Sequence, residues 1–132
     1  MEGVTRVTQY HVFDVMPRYS ANMTESEDTY RGRAIYPGGS TWTNPFTLPS
    51  GLYTFEWIGS DFDNATFDSV FWDEGMENYQ SLEMLDVERT NTMFRFNIYI
   101  PEDHVIERLE ARVHNLSDES ILIETIMLWK NR

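Results

Sequence analysis

No cysteine occurs anywhere in the 132 residues. That absence excludes a disulfide framework, a thiolate metal site and a cysteine nucleophile, so packing has to supply the stability. It leaves the compartment open, since a protein that folds in a reducing cytoplasm can still operate outside a cell. Positive charge is also scarce: 10 Lys and Arg stand against 22 Asp and Glu, for a formal net charge of -12. Such a surface repels bare phosphate backbone over most of its area and argues against nucleic acid as a partner. It favours solubility and accommodates cations or a basic protein face. Long apolar runs are missing, none approaching the roughly eighteen residues of a membrane helix. The start, MEGVTRVTQYHVF, lacks the basic-then-apolar layout of an export signal. Neither a membrane partner nor self-directed export is expected.

What the chain does have is apolar and aromatic side chains, at 41% and 14%. That content offsets the entropy of ordering and argues for a folded core. Its length suits one domain spanning residues 1–132, with no internal repeat.

Alternation marks the strands. Val4 to Val15 reads as one, stopped by Met16-Pro17, and a long polar loop follows around 17–32, where Glu25, Glu27 and Asp28 cluster. Arg33 to Tyr36 reads as a short strand ended by Pro37-Gly38-Gly39. Leu48-Pro49-Ser50-Gly51 reads as a turn opening a strand over Leu52 to Ile58, with Tyr53, Phe55 and Trp57 on one face. Thr66 to Trp72 is a further strand, as is Met93 to Ile100, where Phe94, Phe96, Ile98 and Ile100 share a face and Pro101 closes the run. Ile121 to Trp129 is apolar on both parities, which predicts either a strand covered on both sides or a parity switch at a bulge near Glu124-Thr125.

Two stretches leave helix and strand both open. In Gly75 to Arg89, Tyr79, Leu82 and Leu85 fit helical spacing while Leu82-Glu83-Met84 fits a strand. In Pro101 to Asn115, Asp103 suits a helix cap, whereas Val105, Glu107, Leu109, Ala111 and Val113 as a strand place one carboxylate among apolar residues; the neighbouring strands favour the latter. Frequent turns without regular intervening helices point to an all-β fold, an antiparallel β-sandwich.

Against those segments, Leu48-Pro-Ser-Gly-Leu-Tyr-Thr-Phe-Glu-Trp57, Val113-His-Asn-Leu-Ser117 and Ile121-Leu-Ile-Glu-Thr-Ile-Met-Leu128 resemble carbohydrate-binding-module-type β jelly rolls, which are frequent in phage tail, fibre and other virion proteins. The resemblance covers roughly Trp42 to Trp129 and implies a jelly-roll-like sandwich. It carries over no sugar-binding residue.

Glycan recognition needs aromatic faces for the C–H face of a pyranose, beside amides and carboxylates for its hydroxyls. Trp42, Trp72, Asn78 and Tyr79 are the candidates, with core or edge packing as the competing role. Asp61, Asp63 and Asn64 resemble part of a calcium loop, but Ala65, Thr66 and Trp72 stand where such a loop needs an oxygen ligand, Gly and Glu. Calcium is the one cofactor with any support, and an acidic surface turn is the plainer reading. Glu56, Asp73, Glu74 and Glu124 supply carboxylates without the paired spacing of a glycosidase. His11, His104 and His114 lie too far apart in sequence for a zinc motif, and the Asn-x-Ser/Thr triplets at Asn22, Asn64 and Asn115 lack a secretory context.

These readings favour a non-enzymatic virion structural or host-adsorption module, located in the particle and acting on other virion proteins and a host surface glycan. The two-sided apolar strand suggests a homo-oligomer, a trimer in a fibre, with Ile121, Ile123, Met127 and Trp129 as interface candidates. A carbohydrate-binding accessory module is the alternative and a small glycan-active enzyme the third reading.

Overall fold

Large apolar residues at every second position give strands along nearly the whole chain. The computed structural model describes residues 4–11, 26–43 and 45–131. Its strands are β1 Val4–His11, β2 Ser26–Asp28, β3 Arg33–Ile35, β4 Ser40–Trp42, β5 Phe46–Ser60, β6 Ala65–Asp73, β7 Asn78–Ser81, β8 Leu85–Thr90, β9 Met93–Asn115 and β10 Ile121–Asn131. Among the described residues no helix is long and apolar enough to cross a membrane. All ladders are antiparallel, in the order β2-β3-β10-β5-β9-β6-β7, with β1 on β10 and β4 and β8 on β9.

One ladder becomes two layers because β9 passes through both. Its first half pairs with β5 and β8, and its last part with β4 and β6. Rings from opposite layers then meet: Trp57 of β5 lies 5.6 Å from Phe67 of β6, and Phe67 lies 4.2 Å from Phe94 near the start of β9. Phe55, Trp57, Phe96, Ile98, Leu109, Val113, Ile121 and Ile123 fill the interior. The expected antiparallel sandwich of jelly-roll type is the fold observed.

Strand ends differ from the expectation at both prolines. Pro101 does not close the strand, and Leu48 to Gly51 is not a turn, since β5 and β9 run through those positions. The register jumps from Gly51↔Ile100 to Pro49↔Val105. Both prolines therefore sit at one bulge, where the N–H that proline lacks is not required by the ladder.

A second register shift, between Leu48↔Ile106 and Phe46↔Leu109, coincides with a positive φ at Arg108. It changes which parity of β9 faces inward: Ile106 packs on the core before it, and Leu109, Ala111 and Val113 after it. Glu107 is thus exposed and does not join those apolar residues. The same device operates in β10, where the shift between Ile123 and Thr125 moves burial from Ile121 and Ile123 to Ile126 and Leu128. The predicted bulge is at that place.

Both open stretches are strand. A turn at Glu74–Glu77 leads into β7 and β8, and residues 101–115 belong to β9. Within the expected loop of 17–32, Ser26–Asp28 pairs with β3 as β2 and Thr29 to Gly32 form a turn, while residues 17–25 lie outside the described residues, as do 12–16.

Candidate functional site

The outward face of the second layer is built by four strands around the end of β9. Because directly paired residues share a face, the register aligns Trp42, Arg112 and Asp68 in one row, and Ser40, His114 and Thr66 in the next. Glu110, Val70 and Ser81 form another row. Trp72 pairs with Tyr79, one position beyond the Phe71↔Leu109 pair. The intervening residues Thr41, Phe67, Ser69, Leu109, Ala111 and Val113 are buried on the opposite side.

Charge organises the middle of this face. Arg112 grips Asp68 through two bonds, Nε to Oδ1 at 2.7 Å and Nη2 to Oδ2 at 3.0 Å. His114 Nε2 lies 3.1 Å from Asp68 Oδ2, and its Nδ1 lies 2.8 Å from Ser40 Oγ. Burial alone would raise the Asp68 carboxyl, but the hydrogen bonds from His114 and Arg112 outweigh it and hold it at about 2. An ionised Asp68 only accepts, so Nε2 carries the proton, and in the neutral ring Nδ1 accepts from Ser40. This hydroxyl, imidazole and carboxylate stand in line, and Arg112 already compensates the carboxylate. The line fixes the orientation of its polar groups on this face.

Aromatic rings flank the network. Trp72 and Tyr79 meet edge to face, 5.1 Å between centroids, and the Arg108 guanidinium lies 5.2 Å from the Trp72 centroid. The Tyr79 hydroxyl donates to Glu110 Oε2 at 2.8 Å, a bond that raises the Tyr79 phenol above its ordinary value, with burial adding to it. Two open grooves share Trp72. One, of about 370 Å³, runs from Phe71 to Gly75 and is closed by Val105, Ile106 and Glu107; the other, of about 520 Å³, lies between Trp72, Glu74 and Glu77. At ~3.3 Å per residue along β9 and ~4.8 Å between strands, Trp42 and Trp72 stand about 16 Å apart.

The three aromatic candidates therefore share one face, whereas Asn78, which pairs with Asp73, alternates to the other side of β7. Trp42, Trp72 and Tyr79 are half-buried and Asn78 is exposed. Asp68, Glu110, Arg112 and His114 escaped notice as site residues, although Arg108-Leu-Glu-Ala-Arg-Val-His114 alternates charge with apolar residues and so carried the signal.

The remaining candidates are dispersed. Asp61 takes a left-handed φ of 62 and leads into a 3-10 turn over Phe62–Asn64 in which Phe62 is fully buried. Asn91 caps this turn from outside and Asn64 reaches Glu119. Among the described residues no three His, Asp or Glu side chains gather in a metal-holding group, at Asp61, Asp63 and Asn64 or elsewhere. Glu56 lies near Arg95 on the other layer, Glu124 at the β10 bulge, and Asp73 bonds the backbone of Gly75 and Met76. His104 is exposed and its Nδ1 lies 3.0 Å from the Glu102 carbonyl oxygen, while the His11 side chain and Asn22 lie outside the described residues. Asn115 is fully buried, its amide donating to Ile35 and Glu119, so that triplet is closed to modification in the folded chain.

Two interface candidates need correcting. Ile121 and Ile123 are 1% and 0% exposed and belong to the core, and of the four candidates Met127 and Trp129 are the half-buried ones.

No protein-family model and no curated protein matches the chain. Solved structures do. The C-terminal CBM6 of LamC, a marine laminarinase from Zobellia galactanivorans, superimposes with a TM-score of 0.53 at 16% identity over 95% of this chain and 100% of that one. A low-affinity xylan binding module, CBM86, from Roseburia intestinalis gives 0.53 at 7% identity over 96% of each. The CBM22-1–GH10 modules of a Clostridium thermocellum xylanase, complexed with xylohexaose, give 0.60 at 8% identity; the whole of this chain matches 29% of that one. The fold is thus that of carbohydrate-binding modules. None of these likenesses ties the chain to a virus particle.

Proposed function

We propose that the protein is a carbohydrate-binding module that holds a glycan along the outward face of β4, β9, β6 and β7. One observation carries this reading: Trp42 and the Trp72–Tyr79 pair stand on the same face, on either side of the Asp68–Arg112–His114 network. Aromatic faces stack on the C–H faces of sugar rings and fixed polar groups bond the hydroxyls, and this face presents both, already positioned. Arg112 and His114 are half-buried and held by partners, so less side-chain freedom is lost on binding. The fold shared with modules described as xylan-binding or solved with xylohexaose supports the reading.

Affinity electrophoresis of the purified protein through gels containing a panel of soluble polysaccharides tests it. Retardation is expected on at least one, and Trp42→Ala or Trp72→Ala should weaken binding at least about tenfold. Mobility unchanged on every polysaccharide, or retardation that survives both substitutions together, would remove this face as the site.

A further inference from the structure

Resting on the glycan-binding reading, the geometry points to a more specific occupant for the Trp72 end of the face: a glycan bearing free amines, such as a glucosamine-rich chain. The two grooves meet at Trp72. Besides Trp72 they present Asp73, Glu74, Glu77 and Glu107, and neither is lined by a Lys or Arg among the described residues. Asp73 is spent on the turn that follows it, where its Oδ1 bonds Gly75 and Met76. Glu74, Glu77 and Glu107 are exposed. Three carboxylates thus surround one indole.

A second observation concerns the indole itself. Arg108 sets its guanidinium over the Trp72 ring at 5.2 Å, so the ring's negative face already serves as a seat for a cation. Arg108 is exposed and its head also interacts with the Tyr79 side chain, so a ligand's cation takes this seat by displacing the guanidinium. A pyranose with an ammonium at one carbon satisfies both features together: its C–H face covers the indole while the ammonium meets the carboxylate rim. A neutral sugar satisfies only the first. A uronic acid sets like charge against the rim, in a chain that already carries a net charge of -12.

The test is titration calorimetry of the full chain at mildly acidic pH. The probes are a glucosamine hexamer, its fully N-acetylated counterpart, and an oligolysine of equal charge. The glucosamine hexamer should bind about tenfold or more tightly than the acetylated one. That gap should close in about 1 M salt, where charges are screened within ~3 Å, and in the double variant Glu74→Gln/Glu77→Gln, whose positions are exposed. Arg108→Ala should tighten glucosamine binding several-fold by removing the internal cation. Equal or tighter binding of the acetylated hexamer overturns the amine selection while leaving the glycan face intact. Oligolysine binding as tightly as the glucosamine hexamer overturns the sugar as occupant. Loss of all binding, together with no retardation on any polysaccharide, takes down the glycan reading itself.

Discussion

Phe67 and Phe94 stack across the sandwich with centroids 4.2 Å apart and planes 15° from parallel. Phe67 also pairs through its backbone with Val113, so one residue of β6 touches β9 near both of its ends. Phe67→Ala should therefore remove a ring that bridges the layers and cost about 3–5 kcal/mol. Urea unfolding followed by tryptophan fluorescence measures it; a loss below about 1 kcal/mol would contradict the packing described.

Asp68 makes stability depend on pH. Its carboxyl is held at about 2 in the folded chain, below the ~3.9 of an unfolded aspartate. The contribution is fully present above the unfolded value and is lost as pH falls from about 4 through about 2. Because the side chain is 38% exposed, screening limits it to about 1 kcal/mol. Asp68→Asn should flatten this part of the acid unfolding curve relative to the parent.

Gly59 offers a steric prediction. A Cβ built there would stand 2.0 Å from the Leu122 carbonyl oxygen and 2.7 Å from the Phe62 ring. The first neighbour is backbone of a paired strand and the second a buried ring, so neither gives way cheaply. Gly59→Ala should destabilise by more than about 2 kcal/mol, and a melting temperature equal to the parent's would refute the close approach.

Tyr79→Phe keeps the ring against Trp72 and deletes one hydrogen bond. Glu110, 7% exposed, would lose the hydroxyl that donates to it, at about 1–3 kcal/mol. Ultraviolet titration checks the partner: a phenol ionising above the ordinary tyrosine range should be missing from the variant.

Segments governed by simple alternation were legible in the residues. Phe94 to Ile100, Tyr53 to Trp57 and the two halves of Ile121 to Leu128 bury the faces their spacing implies. Prolines misled because Pro49 and Pro101 share a bulge, a relationship between strands that no local pattern contains. Helical spacing in Tyr79, Leu82 and Leu85 was incidental: Leu82 bonds Ser69 from an irregular link between β7 and β8. The aromatic candidates could be chosen by chemistry alone, but that Trp42 and Trp72 share a face follows only from the register of β4 and β6 on β9. Ile121 and Ile123 looked like surface because two-sided hydrophobicity has two causes, an interface or a switch of parity, and the second applies.

The passage of β9 through both layers bears on how the chain reaches its fold. Neither layer is a self-contained hairpin stack, since the first half of β9 completes one and its last part completes the other. Pairings such as Asn131 with Leu52 and Trp42 with Arg112 join residues far apart in sequence, so loop closure precedes most of the stabilising contact. High contact order of this kind places refolding in the millisecond-to-second range. A fragment ending before Leu109 would leave β4 without its partner and β6 paired with β7 alone, and would so part Trp42 from the Trp72–Tyr79 pair.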